Sequence, residues 1–187
     1  VASLCQQNES EKYPHAEGFE ADIPIYDGDF LRALTSDQMA VVKAEWVQCW
    51  QHGAGIFVVR KLFDQIATVD AATQVFYDLL HEQNQVQHNL ADHFAAAGAN
   101  SRIWNCLEKM AVHNAKVFID YYKNPLLADI CTAWLGPEYQ LTSQVNLVHP
   151  GGAAQQPHRD YHLGFTTDEQ VQRYPLHVQV MSAMLTL

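Results

Sequence analysis

The sequence predicts an α+β fold in which helices come first and strands follow. Apolar residues recur every three or four positions through much of residues 35–138, and from Tyr139 onward the period changes to two. This order is typical of α+β chains, where a helical layer covers a sheet. The 187 residues amount to one domain, with residues 1–138 as a mainly helical support region and residues 139–187 as the first strands.

The first elements follow from local signals. Residues 1–34 are polar, with proline and glycine at intervals, and are predicted to form an extended entry segment. Thr35 or Ser36 can cap a helix that ends near Gly53. The next run, residues 55–59, is short, apolar and rich in β-branched side chains, which predicts a buried strand.

Three further helices are predicted before the strands begin. Apolar spacing indicates one helix over about residues 64–83 and another over about residues 101–122. The last helix begins at Asn124 and Pro125, because asparagine caps well and proline suits the first helical position. Gly136, followed by another proline, is a good stop signal.

The strand after Tyr139 has one amide-rich face. Such a face is either a solvated edge or the lining of a polar cavity. In an extended chain the two faces hold Leu141, Ser143, Val145 and Leu147 on one side, and Gln140, Thr142, Gln144 and Asn146 on the other.

His158 and Asp160 follow this strand as a His-x-Asp pair. On an extended strand their side chains leave one face roughly 6–7 Å apart, so an imidazole and a carboxylate can converge on one metal ion. His162 shares that face but lies about 13 Å from His158, too far for a common ion. A third ligand must come from another strand, as in the two-His-one-carboxylate triad of iron(II) enzymes. A structural salt bridge or an exposed turn explains the pair equally simply.

The run from Ser143 to Gly152, followed by His158-Arg-Asp160, resembles the core of the phytanoyl-CoA dioxygenase-like family of iron(II)- and 2-oxoglutarate-dependent oxygenases. The resemblance is specific over about residues 139–165. It implies a double-stranded β-helix barrel, of the jelly-roll or cupin-like type, supported by the helical layer. Composition alone does not separate this barrel from a sandwich.

The resemblance also implies the site residues. His158 and Asp160 match two iron ligands, and the polar strand matches the contacts to 2-oxoglutarate. Asn146 matches best, with Thr142 and Gln144 on the same face.

The chain departs from the family pattern after Asp160. The family's distal histidine, and the arginine that holds the far carboxylate of 2-oxoglutarate, are expected beyond Leu187. His177 comes too early to match, and Arg173 precedes it. Since the chain also starts with Val1 and ends in an apolar run, it is predicted to be the N-terminal portion of a longer protein.

The charge composition argues against some classes of binding partner. The 11 Lys and Arg against 21 Asp and Glu give a net charge of −10, which argues against nucleic acid and anionic membranes. The same charge balance leaves no broad basic surface for the phosphates of a coenzyme A thioester.

The four cysteines are widely spaced, and no signal peptide or long apolar run appears, so a cytoplasmic location is predicted. A missing N-terminus would hide a targeting peptide. Oligomeric state cannot be read from the sequence.

The leading hypothesis is an iron(II)- and 2-oxoglutarate-dependent dioxygenase that hydroxylates a C–H bond of a small organic substrate. Tyr161 and Phe165 are candidates for the substrate side. One alternative is a non-catalytic barrel that serves as a binding or scaffold domain, and another is a cupin-like divalent-metal hydrolase.

Other polar residues have competing interpretations. His81, His88 and Asp92 can share a helix face and bind zinc, although a solvated helix surface explains them as well. The Gly151-Gly152 pair predicts a turn rather than a phosphate loop, because no Lys-Ser/Thr follows. His149 and His162 are candidates for orienting ligands or substrate, with surface placement as the alternative.

Overall fold

The computed structural model of the protein describes residues 10–86 and 100–152, together with Thr167 and Glu169. A 3₁₀ turn at Ser10–Lys12 precedes the strands and helices. The strands are β1 (Gly18–Glu20), β2 (Ile23–Asp27), β3 (Val58–Arg60), β4 (Asn100–Ile103) and β5 (Val145–Val148). The α-helices are α1 (Gly28–Arg32), α2 (Ser36–His52), α3 (Ile66–Val86), α4 (Cys106–His113), α5 (Ala115–Tyr122) and α6 (Pro125–Leu135).

This mixture of helices and strands confirms the predicted α+β class. The strands of the described ranges form one three-stranded and one two-stranded sheet, and no closed barrel is present there. The described residues separate into two compact units, residues 10–64 with 124–139, and residues 65–86 and 100–123 with 140–152.

The first unit contains a sheet that the sequence did not predict. In place of the extended entry segment, β1 and β2 form an antiparallel hairpin, and α1 follows directly. The hairpin turns through Ala21 and Asp22, both with positive φ (48° and 64°). A two-residue turn of this kind usually carries Asn-Gly or Asp-Gly, so the Ala-Asp pair conceals it in the sequence.

The strand predicted at residues 55–59 is shorter and starts later than expected. Only Val58–Arg60 form β3, which pairs in parallel with β2. The prediction of a buried strand was wrong, because β3 is an edge strand and Val58 is 42% exposed.

Helices α2 and α6 confirm their predicted caps. The Thr35 side chain accepts from the backbone N–H of Gln38, and the Gln38 side chain accepts from the backbone N–H of Thr35 in a capping box. Asn124 accepts from two backbone N–H groups of the first turn of α6, which begins at Pro125. The two helices pack together, with Trp50 and Trp134 in edge contact.

A buried polar cluster lies in the core of the first unit. Glu45 of α2 is 7% exposed. One of its carboxylate oxygens accepts from the Tyr26 hydroxyl at 2.8 Å, and the other lies 2.8 Å from Nδ1 of His15. Burial, reinforced by the bond to Glu45, raises the pKa of Tyr26 far above its usual value. We call these three residues the Glu45 cluster.

The second unit replaces one predicted helix with three elements. Residues 101–122 were expected to be a single helix, but β4 occupies their start and α4 and α5 share the rest. The break falls at Asn114, whose side chain accepts from the backbone N–H of Val117 and caps α5. Asparagine competes with the helical backbone in this way, so apolar spacing alone misses the break.

Three of the four cysteines lie within the described residues. Cys49, Cys106 and Cys131 are free and buried, and Cys5 lies outside the described residues. None of the helices in the described ranges combines the length and apolarity needed to cross a membrane.

Candidate metal and co-substrate site

The predicted iron ligands His158 and Asp160 lie outside the described residues, as do Tyr161, His162 and Phe165. Within residues 10–86 and 100–152, no group of three or more His, Cys, Asp or Glu side chains is placed to hold a metal ion. The described part of the candidate site is therefore β5 and the turn that follows it.

The strand predicted from Tyr139 onward is shorter and starts later, because only Val145–Val148 form β5. Ser143, Val145 and Leu147 are half-buried, whereas Thr142, Gln144 and Asn146 are exposed. Leu141, predicted on the same side as Ser143, is 36% exposed and precedes the strand. Of the proposed co-substrate residues, Asn146 lies on the exposed face of β5, and Thr142 and Gln144 are exposed in the segment just before it, where their amide and hydroxyl groups can meet a ligand.

Strand β4 adds a cation that sequence reasoning missed. It pairs antiparallel with β5, and Arg102 lies directly opposite Asn146. Residues directly opposite in an antiparallel pair project to the same face, so Arg102 and Asn146 share one. Arg102 is 8% exposed, and its guanidinium carbon lies 5.1 Å from the centre of the Trp104 ring.

The sequence carries no clear signal for β4. Ser101 and Arg102 are polar and Ile103 and Trp104 are apolar, so the strict alternation that indicates a strand is absent. The apolar spacing of the following residues extended the predicted helix backward over this short strand.

Asn100 brings a further polar atom to this face. It lies two residues before Arg102, opposite Val148, and its Oδ1 atom is buried with no hydrogen-bond partner in the described structure. A buried acceptor left unsatisfied costs about 1–3 kcal/mol, which a bound hydroxyl group or water molecule would offset.

The backbone of β4 is held from α3. The Gln83 side chain donates to the backbone oxygen of Arg102 at 2.9 Å, and Lys109 of α4 donates to the Gln83 side chain at 3.4 Å. These bonds set the position of Arg102 relative to α3 and α4 within the second unit.

Hydrogen bonds hold the chain just before β5. The Tyr122 hydroxyl donates to the Ser143 hydroxyl at 2.7 Å, and the backbone oxygen of Ser143 accepts from the backbone N–H of Cys106 at 3.1 Å. Burial raises the pKa of Tyr122, so its hydroxyl remains a donor well into alkaline conditions. Burial likewise raises the pKa of the nearby Cys106 thiol to about 11, which keeps the thiol neutral.

A second side-chain hydrogen bond holds the residue that follows β5. Ser101 Oγ lies 2.8 Å from His149 Nε2. The backbone N–H of Gly152 donates to the backbone oxygen of His149 at 2.9 Å, and Gly151 has a φ of +83°. This confirms the predicted glycine turn, since the left-handed region favours glycine.

The predicted zinc alternative is only partly within the described residues. His81 Nε2 lies 2.8 Å from the Gln85 side chain on the exposed surface of α3, while His88 and Asp92 fall outside. The zinc site stays a prediction.

Comparison with known proteins defines the family. Residues 40–186 match the family model described as Phytanoyl-CoA dioxygenase (PhyH). The chain therefore belongs to this family, as its sequence resemblance predicted. Membership indicates iron(II)- and 2-oxoglutarate-dependent oxygenase activity in general. No curated protein and no solved structure matches the chain.

Proposed function

We propose that this protein is an iron(II)- and 2-oxoglutarate-dependent dioxygenase that hydroxylates a C–H bond of a small organic substrate. The observation that carries the proposal is the family match over residues 40–186, a range that includes β5, its turn and His158-Arg-Asp160. The proposed architecture is that of the family, a single domain in which helices support a double-stranded β-helix barrel that begins at β5.

His158 and Asp160 are the proposed iron ligands. One imidazole and one carboxylate supply two positions of the facial triad, which leaves open positions for a co-substrate and oxygen. The second histidine of that triad stays a prediction.

Asn146 is the principal proposed contact to 2-oxoglutarate, with Thr142 and Gln144 as further contacts. Their amide and hydroxyl groups donate hydrogen bonds that suit a carboxylate. Arg102, which lies opposite Asn146 on β4, adds a positive charge. These donors fit a dicarboxylate, which supports the assignment.

The protein's part in the reaction is to bind and orient. Iron and 2-oxoglutarate, when bound, supply the oxidising chemistry for hydroxylation. The polar face of β5 holds the co-substrate in one orientation, and Tyr161 and Phe165 are proposed to exclude water on the substrate side. The substrate is a small molecule rather than nucleic acid or a membrane, because the net charge is −10. The free buried cysteines Cys49, Cys106 and Cys131 accord with the proposed cytoplasmic location.

An anaerobic titration of the full-length protein tests this proposal. Iron(II) and 2-oxoglutarate together should produce a weak visible charge-transfer band, which is lost in His158→Ala. His52→Ala is the matched control, because it removes an exposed imidazole from the last turn of α2. If the wild-type protein binds no iron and gives no band, the proposal is wrong and a non-catalytic barrel becomes the better description.

A further inference from the structure

The Ser101–His149 hydrogen bond continues the contact between β4 and β5 beyond their backbone pairing. The last paired residues are Asn100 and Val148. His149 comes next, and its Nε2 atom lies 2.8 Å from the Ser101 hydroxyl, on the face of β5 opposite that of Asn146. A side chain thus holds the strand where the described backbone ladder ends.

The same residue also starts the turn. Its backbone oxygen accepts from Gly152, and Pro150 and Gly151 lie between them. His149 is therefore anchored by both its ring and its backbone oxygen, nine residues before His158. A proline of fixed φ and a glycine in the left-handed region determine the direction in which the chain leaves this point.

We propose that Ser101 and His149 are a positioning pair for the metal-binding segment. By fixing the start of the turn, they limit the directions from which the following chain can bring His158 and Asp160 to an ion. A metal site depends on supporting residues to hold the side chains that bind the metal within about 0.5 Å of their productive positions. This inference rests on the proposed function, because it assigns the pair an effect on iron affinity.

The start of the strand provides a matched comparison. Tyr122 and Ser143 form a hydroxyl hydrogen bond of similar length, 2.7 Å, also half-buried, to the residue two positions before β5. Removing it should weaken packing of the same strand without changing the turn that leads to the metal segment. Tyr122→Phe therefore separates a general loss of stability from a specific effect on metal binding.

The experiment measures iron(II) affinity in the presence of 2-oxoglutarate, by the charge-transfer band, in the full-length protein. Ser101→Ala should weaken iron binding about 3- to 10-fold, which is less than the roughly 10- to 100-fold typical of groups that hydrogen-bond a metal ligand directly, because this pair lies nine residues from the ligand. His149→Phe should have a similar effect. Ser101→Thr keeps the hydroxyl and should restore wild-type affinity, whereas Tyr122→Phe should bind iron as the wild type does. Thermal denaturation of each variant reports the accompanying loss of stability.

The outcomes distinguish this inference from the proposed function. Wild-type affinity in Ser101→Ala overturns the positioning role while leaving the iron site intact. An equal loss in Ser101→Ala and Tyr122→Phe overturns it too, because the effect then follows strand stability. Failure of the wild-type protein to bind iron overturns the proposed function itself, and the positioning role with it.

Discussion

The Glu45 cluster of the first unit and the polar face of β5 in the second use polar side chains in opposite ways. Both oxygens of the Glu45 carboxylate have partners, Tyr26 and His15, and Glu45 is buried. Thr142, Gln144 and Asn146 are exposed, and in the described structure their side chains make no hydrogen bonds with one another or with other residues. A buried polar group that hydrogen-bonds to other residues of the protein contributes to folding, whereas an exposed polar group can hydrogen-bond to a ligand.

The largest effect on function should come from the metal segment. Asp160→Ala in the full-length protein removes a proposed ligand, so iron-dependent turnover of 2-oxoglutarate should be abolished while the fold persists. Succinate production measures the turnover, and Asp70→Ala, an exposed carboxylate of α3, is the control. Full activity in Asp160→Ala would show that Asp160 is not an iron ligand.

The largest effect on stability should come from the Glu45 cluster. Glu45→Ala leaves the buried Tyr26 hydroxyl and the His15 ring without their shared partner, which should lower the free energy of unfolding by about 2–4 kcal/mol. Urea denaturation measures this, with the exposed Gln51→Ala of the same helix as control. A change as small as that of the control would show that the cluster does not stabilise the first unit.

An intermediate effect is expected on the polar face. Asn146→Ala should raise the dissociation constant for 2-oxoglutarate about 10- to 100-fold, since the loss of one hydrogen bond to a charged group costs about 1.5–3 kcal/mol. Stability should stay within about 0.5 kcal/mol of the wild type, because the side chain is exposed. Equilibrium titration measures the affinity, and Gln74→Ala, an exposed amide of α3, is the control. Unchanged affinity would remove Asn146 from the proposed site.

The smallest effect should come from an exposed ion-pair group on α5. Hydrogen bonds from Lys116 and Lys123 lower the pKa of Asp120 to about 2. A carboxyl group whose pKa is lowered in the folded protein stabilises the fold at pH values above its ordinary pKa of 3.8. This contribution is lost as the pH falls toward 2. Between pH 5 and pH 2.5 the melting temperature of the wild type should therefore fall slightly more than that of Asp120→Asn. The difference should be small, because solvent screens such pairs. A larger fall in the variant would contradict the sign.

Several elements were predictable because their signals are local. The Thr35–Gln38 capping box and the Asn124–Pro125 cap each involve residues within one helical turn. The hairpin of β1 and β2 lacked such a signal, because Ala21 and Asp22 adopt a turn that other residues favour. The short strand β4 was predicted as part of a helix, because the apolar spacing of the residues after it extends over it. The candidate site was therefore predicted without Arg102.

The sequence by itself determined the helix caps, the two faces of β5, the glycine turn and the family. Each depends on residues close together in the chain, or on a motif that can be matched position by position. Only the tertiary structure decided that β4 pairs with β5 and places Arg102 opposite Asn146 and Ser101 beside His149. Strand register between segments more than 40 residues apart is set by packing of the whole unit, because period-two patterns name a face but not a partner.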